Sequence, residues 1–157
     1  MDGLAAVLKA QARANALAAR ALAAARTDPE SKYFVYALLL QDGRIYVGQT
    51  DNIYQRLLDH FAMTKFAAQW VRLHGPPVRV LEILVDVDKD AENYLTLSYI
   101  AKFGADSVRG GSWHSVFTRE PACVAQFTPH KLYKALSREQ IEDVQAEVRA
   151  NAKLLQS

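Results

Sequence analysis

The spacing of hydrophobic positions divides the chain into a helical beginning and a mixed remainder. An alanine-rich segment repeats its apolar residues every three or four positions, which predicts a helix over residues 4–26. Its apolar stripe is narrow and consists mostly of methyl groups, so we expect this helix to lie on the domain surface or on a second copy of itself. Residues 27–31 contain Pro29 and are predicted to form a short linker.

Two apolar runs follow, over residues 34–40 and 44–48, on either side of a Gln-Asp-Gly turn. Both runs are rich in residues that favour strands, and this pattern predicts a β-hairpin. A helix is predicted after the hairpin, with Thr50 or Asp51 as its cap and Phe61 near its end.

The next three elements are predicted to be a helix, a strand and a helix. The first helix is predicted over residues 65–74, and the Gly-Pro-Pro sequence that follows ends it. Residues 78–87 are apolar on both faces near their middle, as in a strand covered on both sides. Asp88 can cap the following helix, which is predicted to run to Phe103 and to stop at Gly104.

The end of the chain is predicted to be helical. Thr128 and Pro129 open a short helix, and the sequence from Ser137 to Gln140 is a capping box for a final one. The apolar stripe of the final helix consists of Ile141, Val144, Val148, Ala152 and Leu155.

Composition narrows the class of protein. The chain has 157 residues, half of them hydrophobic, which indicates one globular domain. Its formal charge is only +2, so any nucleic acid would have to be held by a local basic surface. The single cysteine, Cys123, excludes an internal disulfide, so an intracellular, cytoplasmic location without a signal peptide is expected. No apolar run approaches the roughly 20 residues that cross a bilayer, so we expect no membrane span.

The length of the hairpin loop decides whether Tyr36 and Tyr46 share a face. A two-residue loop puts them on opposite sides of the sheet. A three-residue loop makes them diagonal neighbours on one face, close enough for their rings to meet. Gly43 occupies the third position of the longer loop, where glycine is favoured, and the longer loop is therefore predicted.

The helix after the hairpin adds polar groups to that face. Asn52, Arg56 and His60 recur every four residues and line one side of it. Each has an ordinary structural explanation when taken alone, as a solvated or packed side chain. Their combination with the two tyrosines favours a functional site.

These residues resemble the GIY-YIG nucleases, a family named for two short strand motifs. Residues 34–36 (Phe-Val-Tyr) and 46–48 (Tyr-Val-Gly) match the two motifs, and Arg56 and His60 match the family's helix. Glu92 matches the metal-binding glutamate that the family carries on a later helix.

The resemblance covers about half of the chain and implies its fold and domain organisation. The implied fold class is α+β, similar to an α/β sandwich, with a small sheet of three mostly antiparallel strands flanked by helices. We expect an N-terminal helix and linker over residues 1–30, a nuclease domain over 31–120 and a C-terminal helical extension over 121–157.

Four further residues are candidates for binding the substrate. They are Lys32, Gly48, Ser107 and Arg109. Ser107 stands where the family usually has an asparagine, and its shorter side chain leaves full activity open. Arg109 is equally consistent with a phosphate contact and with a salt-bridged structural arginine.

The residue types suit phosphodiester hydrolysis. Arg56 offers a permanently charged fork for phosphate, and Glu92 offers one carboxylate for Mg²⁺ or Mn²⁺. The resemblance implies Tyr36 as the group that accepts a proton from water, provided that its pKa is lowered from about 10. Tyr46 is assigned to orienting water or phosphate, and His60 to relaying a proton, binding phosphate or packing.

The sequence therefore predicts a metal-dependent DNA endonuclease. Two alternatives remain open: a nuclease-like module that binds nucleic acid or protein without cutting, and an oligomerisation adaptor. The terminal helices are the candidate surface for a homodimer.

Overall fold

The structure of the protein is a computed structural model that describes residues 4, 5, 8, 32–114 and 132–156. The helices predicted over residues 4–26 and from Thr128 lie outside this part, apart from Leu4, Ala5 and Leu8, which are helical. The strands in the described residues are β1 (Phe34–Leu40), β2 (Ile45–Thr50), β3 (Pro77–Val85), β4 (Val108–Gly110) and β5 (Lys134–Ala135). Beyond these three positions, the helices in the described residues are α1 (Ile53–Phe61), α2 (Gln69–His74), α3 (Ala91–Phe103) and α4 (Arg138–Gln156).

The strands form one mixed sheet in the order β4-β2-β1-β3-β5. The antiparallel centre, β2-β1-β3, agrees with the predicted fold. The prediction of only three strands is wrong, because β4 joins β2 in parallel and β5 joins β3 in antiparallel orientation. Strands of three and two residues are too short to produce an alternating hydrophobic pattern.

The hairpin has the predicted three-residue loop. Leu40 and Arg44 close it through a backbone hydrogen bond of 2.8 Å, and Gly43 adopts a φ of 91°, which favours glycine. In the resulting register Leu38 lies opposite Tyr46, and Tyr36 lies opposite Gly48. The two tyrosines therefore share one face of the sheet.

Alternate residues of β1 build two separate cores, one on each face of the sheet. Tyr36 and Leu38 belong to the core formed with α1, α2 and α4. Val35 and Ala37 belong to the core formed with α3. The protein therefore has a helical layer on each side of its sheet.

Several predicted element boundaries need correction. The cap of α1 is Asn52, whose side chain accepts a hydrogen bond from the Gln55 amide, whereas Thr50 instead bonds the backbone of Asn52. Helix α2 begins at Gln69 rather than at residue 65, because the preceding residues form turns. Helix α3 begins at Ala91, and Gly104 follows its end with a φ of 88°.

The capping box of α4 is confirmed by reciprocal hydrogen bonds between Ser137 and Gln140. The predicted stripe packs against the core except at Leu155, which is 46% exposed. Buried Asn151 of α4 also donates a hydrogen bond to the Tyr54 hydroxyl of α1. Helix α4 thus shares a core with the sheet, while the predicted division at residues 30 and 120 stays a prediction.

No helix within the described ranges is long and apolar enough to cross a membrane.

Candidate active site

The two phenol rings of the hairpin meet above Gly48. The ring centres of Tyr36 and Tyr46 are 6.3 Å apart. A Cβ atom on Gly48 would lie under 3.0 Å from both rings, so this position accepts no side chain without moving them. The glycine of the second motif thus provides space for both tyrosines.

His60 reaches the phenols from α1. Its Nε2 atom and the Tyr36 hydroxyl are hydrogen bonded at 2.7 Å, and its ring centre lies 5.4 Å from that of Tyr46. The side chain is fully buried, and its Nδ1 atom has no hydrogen-bond partner among the residues that the structure describes. Burial, with a smaller effect of Arg56, lowers the pKa of His60 to about 3, so the imidazole is neutral at pH 7.

The phenols are protonated in this environment. Burial and then Tyr46 raise the pKa of Tyr36 well above its ordinary value, although Arg56 acts in the opposite direction. Burial also raises the pKa of Tyr46. The condition that the pKa of Tyr36 be lowered is therefore not met by these surroundings, because desolvation outweighs the nearby guanidinium.

Arg56 is half-buried and acts on both phenols. Burial opposes its charge, but Tyr36 and then Tyr46 raise its pKa above the ordinary value. Its Nη1 atom also donates a hydrogen bond of 2.5 Å to the carbonyl oxygen of Phe66, in the loop between α1 and α2. This bond fixes one side of the guanidinium relative to the phenols.

Glu92 approaches from the first turn of α3, in the layer on the other face of the sheet. Its carboxylate is near enough to raise the pKa of both Tyr36 and Tyr46. Burial raises the pKa of Glu92 itself, and His114 lowers it in part. The structure therefore brings Tyr36, Tyr46 and His60 into contact beside Arg56, and it places Glu92 near enough to act electrostatically on both phenols.

A turn after β4 carries His114 toward Glu92. Residues Gly110 and Trp113 pair through two backbone hydrogen bonds, and the Asn93 side chain bonds both the amide and the hydroxyl of Ser112. Sequence reasoning missed His114 and Asn93. For Asn93, the only signal in the sequence was its position next to Glu92. His114 had no such signal, because its approach to Glu92 depends on a contact between distant parts of the chain.

The predicted substrate-binding residues do not all join the site. Lys32 is exposed ahead of β1, and Ser107 contributes backbone hydrogen bonds to Ile45 and Gly104. Arg109 is 4% exposed; its Nη1 atom donates to the carbonyl oxygens of Ala105 and Val108, and its guanidinium lies 4.3 Å from the centre of the Trp70 ring. This placement favours the structural alternative for Arg109, and the roles of Lys32 and Ser107 stay predictions.

Comparison with protein families identifies this segment. Residues 32–95, which include all five predicted catalytic residues, match the family model of the GIY-YIG catalytic domain. Residues 32–95 are therefore similar to a GIY-YIG catalytic domain, and this match supports a function of the nuclease type. The comparisons with curated proteins and with solved structures gave no match.

Proposed function

We propose that the protein is a metal-dependent DNA endonuclease that hydrolyses phosphodiester bonds. The observation that carries this proposal is the convergence of three rings with a guanidinium and a carboxylate. Tyr36, Tyr46 and His60 have ring centres within 6.3 Å of one another, and both Arg56 and Glu92 act electrostatically on the two phenols.

Arg56 binds the scissile phosphate in this proposal. One of its Nη atoms is held by the Phe66 carbonyl, while the guanidinium keeps its charge beside the phenols. A fixed cation stabilises negative charge that develops on phosphate oxygens during attack. The restraint also reduces the entropy that is lost when the guanidinium engages the substrate.

Tyr36 and His60 form the route for a proton. With the imidazole proton on Nδ1, the Tyr36 hydroxyl donates to Nε2 and its oxygen can accept a hydrogen bond from water. As water attacks, Tyr36 takes its proton and passes its own to His60, so the phenol need not ionise beforehand. Burial opposes protonation of His60 most strongly and Arg56 adds a smaller repulsion, which the negative charge of a bound phosphate would offset.

Glu92 is the residue that would hold the divalent ion. Its carboxylate has no hydrogen-bond donor within the described ranges, and burial without such a partner raises its pKa. No group of three or more His, Cys, Asp or Glu suited to a metal ion occurs in the same ranges. A single carboxylate fits Mg²⁺, which completes its coordination with water and phosphate. When bound, the ion would polarise the phosphate and stabilise the leaving oxygen.

Plasmid nicking tests this function. Supercoiled plasmid is incubated with the full chain and Mg²⁺ or Mn²⁺, with and without chelator, and the same assay is run on Tyr36→Phe, Arg56→Ala and Glu92→Gln. We expect nicking that requires the metal and is lost by at least 100-fold in each variant. Glu139→Gln, in the first turn of α4, is the control for the carboxylate and should nick normally.

The alternative function, binding without cutting, predicts a different pattern. The protein would shift DNA in a gel but leave the plasmid supercoiled with either metal ion. Equal nicking by the wild type and Glu92→Gln would instead contradict the assigned metal site.

A further inference from the structure

The loop between α1 and α2, residues 62–68, presents an exposed aromatic ring. Phe66 is 64% exposed. The Thr64 hydroxyl donates a 3.0 Å hydrogen bond to Asp59 of α1 and accepts one from the Phe66 amide, and the Thr64 carbonyl accepts one from the Ala67 amide. The exposed ring therefore belongs to a loop that several hydrogen bonds tie to α1.

The same loop is attached to the candidate active site. The Phe66 carbonyl accepts the 2.5 Å hydrogen bond from Arg56, the residue to which we assign the scissile phosphate. A nucleobase is separated from its phosphate by a single sugar. An aromatic ring on the residue that anchors Arg56 is consequently within reach of the bases that flank this phosphate.

A cation accompanies the ring. The exposed Lys65 places its Nζ atom 5.2 Å from the centre of the Phe66 ring. An apolar protein partner would have to bury this charge beside the ring, at a considerable desolvation cost. A nucleic-acid strand offers a stacking base for the ring and a phosphate for the lysine, which is the usual pairing at sites that bind single strands.

We propose that Phe66 stacks on a nucleobase next to the scissile phosphate while Lys65 contacts a neighbouring phosphate. Bases inside a duplex are already stacked on both faces, so the ring can engage only a base that is unpaired or displaced. The protein accordingly prefers DNA with an unpaired nucleotide beside the cut, such as a single strand or a fork, over continuous duplex. The proposal rests on the proposed function for the position of the phosphate.

Binding and base stacking can be measured without cleavage. The full chain is titrated, in the presence of chelator, into a dye-labelled single strand, a fork and a matched duplex, and a parallel set carries 2-aminopurine at the junction. Variants are Phe66→Ala, which keeps the carbonyl that holds Arg56, and Phe66→Trp. Phe103→Ala is the matched control, because Phe103 is 56% exposed on α3 in the other layer.

We expect Phe66→Ala to bind the single strand and the fork roughly 10-fold more weakly, the duplex almost unchanged, and to lose the quenching of 2-aminopurine. Phe66→Trp and Phe103→Ala should behave like the wild type. Equal binding by Phe66→Ala and the wild type would overturn the proposal and point to a protein partner for the ring, while plasmid nicking would still support the nuclease. No DNA binding by the wild type would also overturn it. Ring-dependent binding without any nicking would remove only the proposed catalytic function.

Discussion

Neutral His60 inside the core makes the stability of the protein depend on pH. The pKa of this imidazole is about 3 in the folded protein, against 6.5 for an ordinary histidine. Between these two values the unfolded chain binds a proton that the folded protein does not. Stability is therefore complete above pH 6.5 and falls as the pH decreases through this window.

The size of the effect follows from the two pKa values. Between pH 7 and pH 5 the folded His60 stays neutral while the unfolded one becomes almost fully protonated. The linkage relation gives a loss of about 2 kcal/mol in the free energy of unfolding. For a domain of this size, that is a substantial part of the total stability.

Urea unfolding of the wild type and His60→Gln at pH 7, 6 and 5 measures this loss. The glutamine keeps a polar group near Tyr36 but does not titrate, and the remaining ionisable groups are common to both proteins. We expect the wild type to lose about 2 kcal/mol more than the variant between pH 7 and pH 5, with unchanged m-values. Histidine NMR signals, with His60 assigned through its absence in the variant, provide an independent titration.

Equal losses in the two proteins would refute the reasoning. So would a His60 signal that titrates near pH 6 in the folded protein. Either result would mean that water or a neighbouring group compensates the imidazolium, and the proton route from Tyr36 to His60 would then begin from a different charge state.

Three other substitutions test the structure elsewhere. Gly48→Ala crowds both phenols, so we expect the free energy of unfolding to fall by about 1–3 kcal/mol and nicking to be lost, whereas Gln49→Ala, on the exposed neighbour, should change neither in urea and plasmid assays. Arg109→Gln should cost about 2 kcal/mol in urea unfolding, without changing the KM for DNA, because two backbone carbonyls lose their donor; a stable variant with a raised KM would instead indicate a phosphate contact. Asn151→Ala should cost about 1–3 kcal/mol by leaving the buried Tyr54 hydroxyl without its donor, and Tyr54→Phe in the same chain should recover part of this loss; no recovery would contradict the assigned bond.

Local chemistry was sufficient to predict the hairpin half of the site. Gly43 favours the three-residue loop, and this loop determines that Tyr36 and Tyr46 share a face. Helical spacing likewise predicts that Arg56 and His60 lie on one side of α1. These features depend on residues that are close in sequence, so the pattern of the chain contains the necessary information.

Features that depend on distant contacts were not predictable in the same way. The pairing of β4 with β2 follows a long connection through α3, and β4 itself is only three residues long. The helical pattern extended α2 back to Lys65, but side-chain hydrogen bonds of Thr64 favour turns there instead. The exposure of Phe66 results from these turns and has no signal in the sequence. The burial that keeps Tyr36 protonated likewise appears only when the layers are assembled.

The close contact of α3 with the sheet at Gly110 has a consequence for the proposed activity. A Cβ atom at Gly110 of β4 would lie 2.8 Å from the hydroxyl oxygen of Thr96 in α3, so the helix and the strand are in direct contact at this glycine. Because Glu92 belongs to α3 while Tyr36 and Tyr46 belong to the sheet, a small shift of α3 along β4 would move the carboxylate away from the phenols on which it acts. The proposed nuclease activity would therefore depend on the position of α3 relative to β4, and a substitution that separates the two elements at Gly110 would lower it without removing any residue of the site.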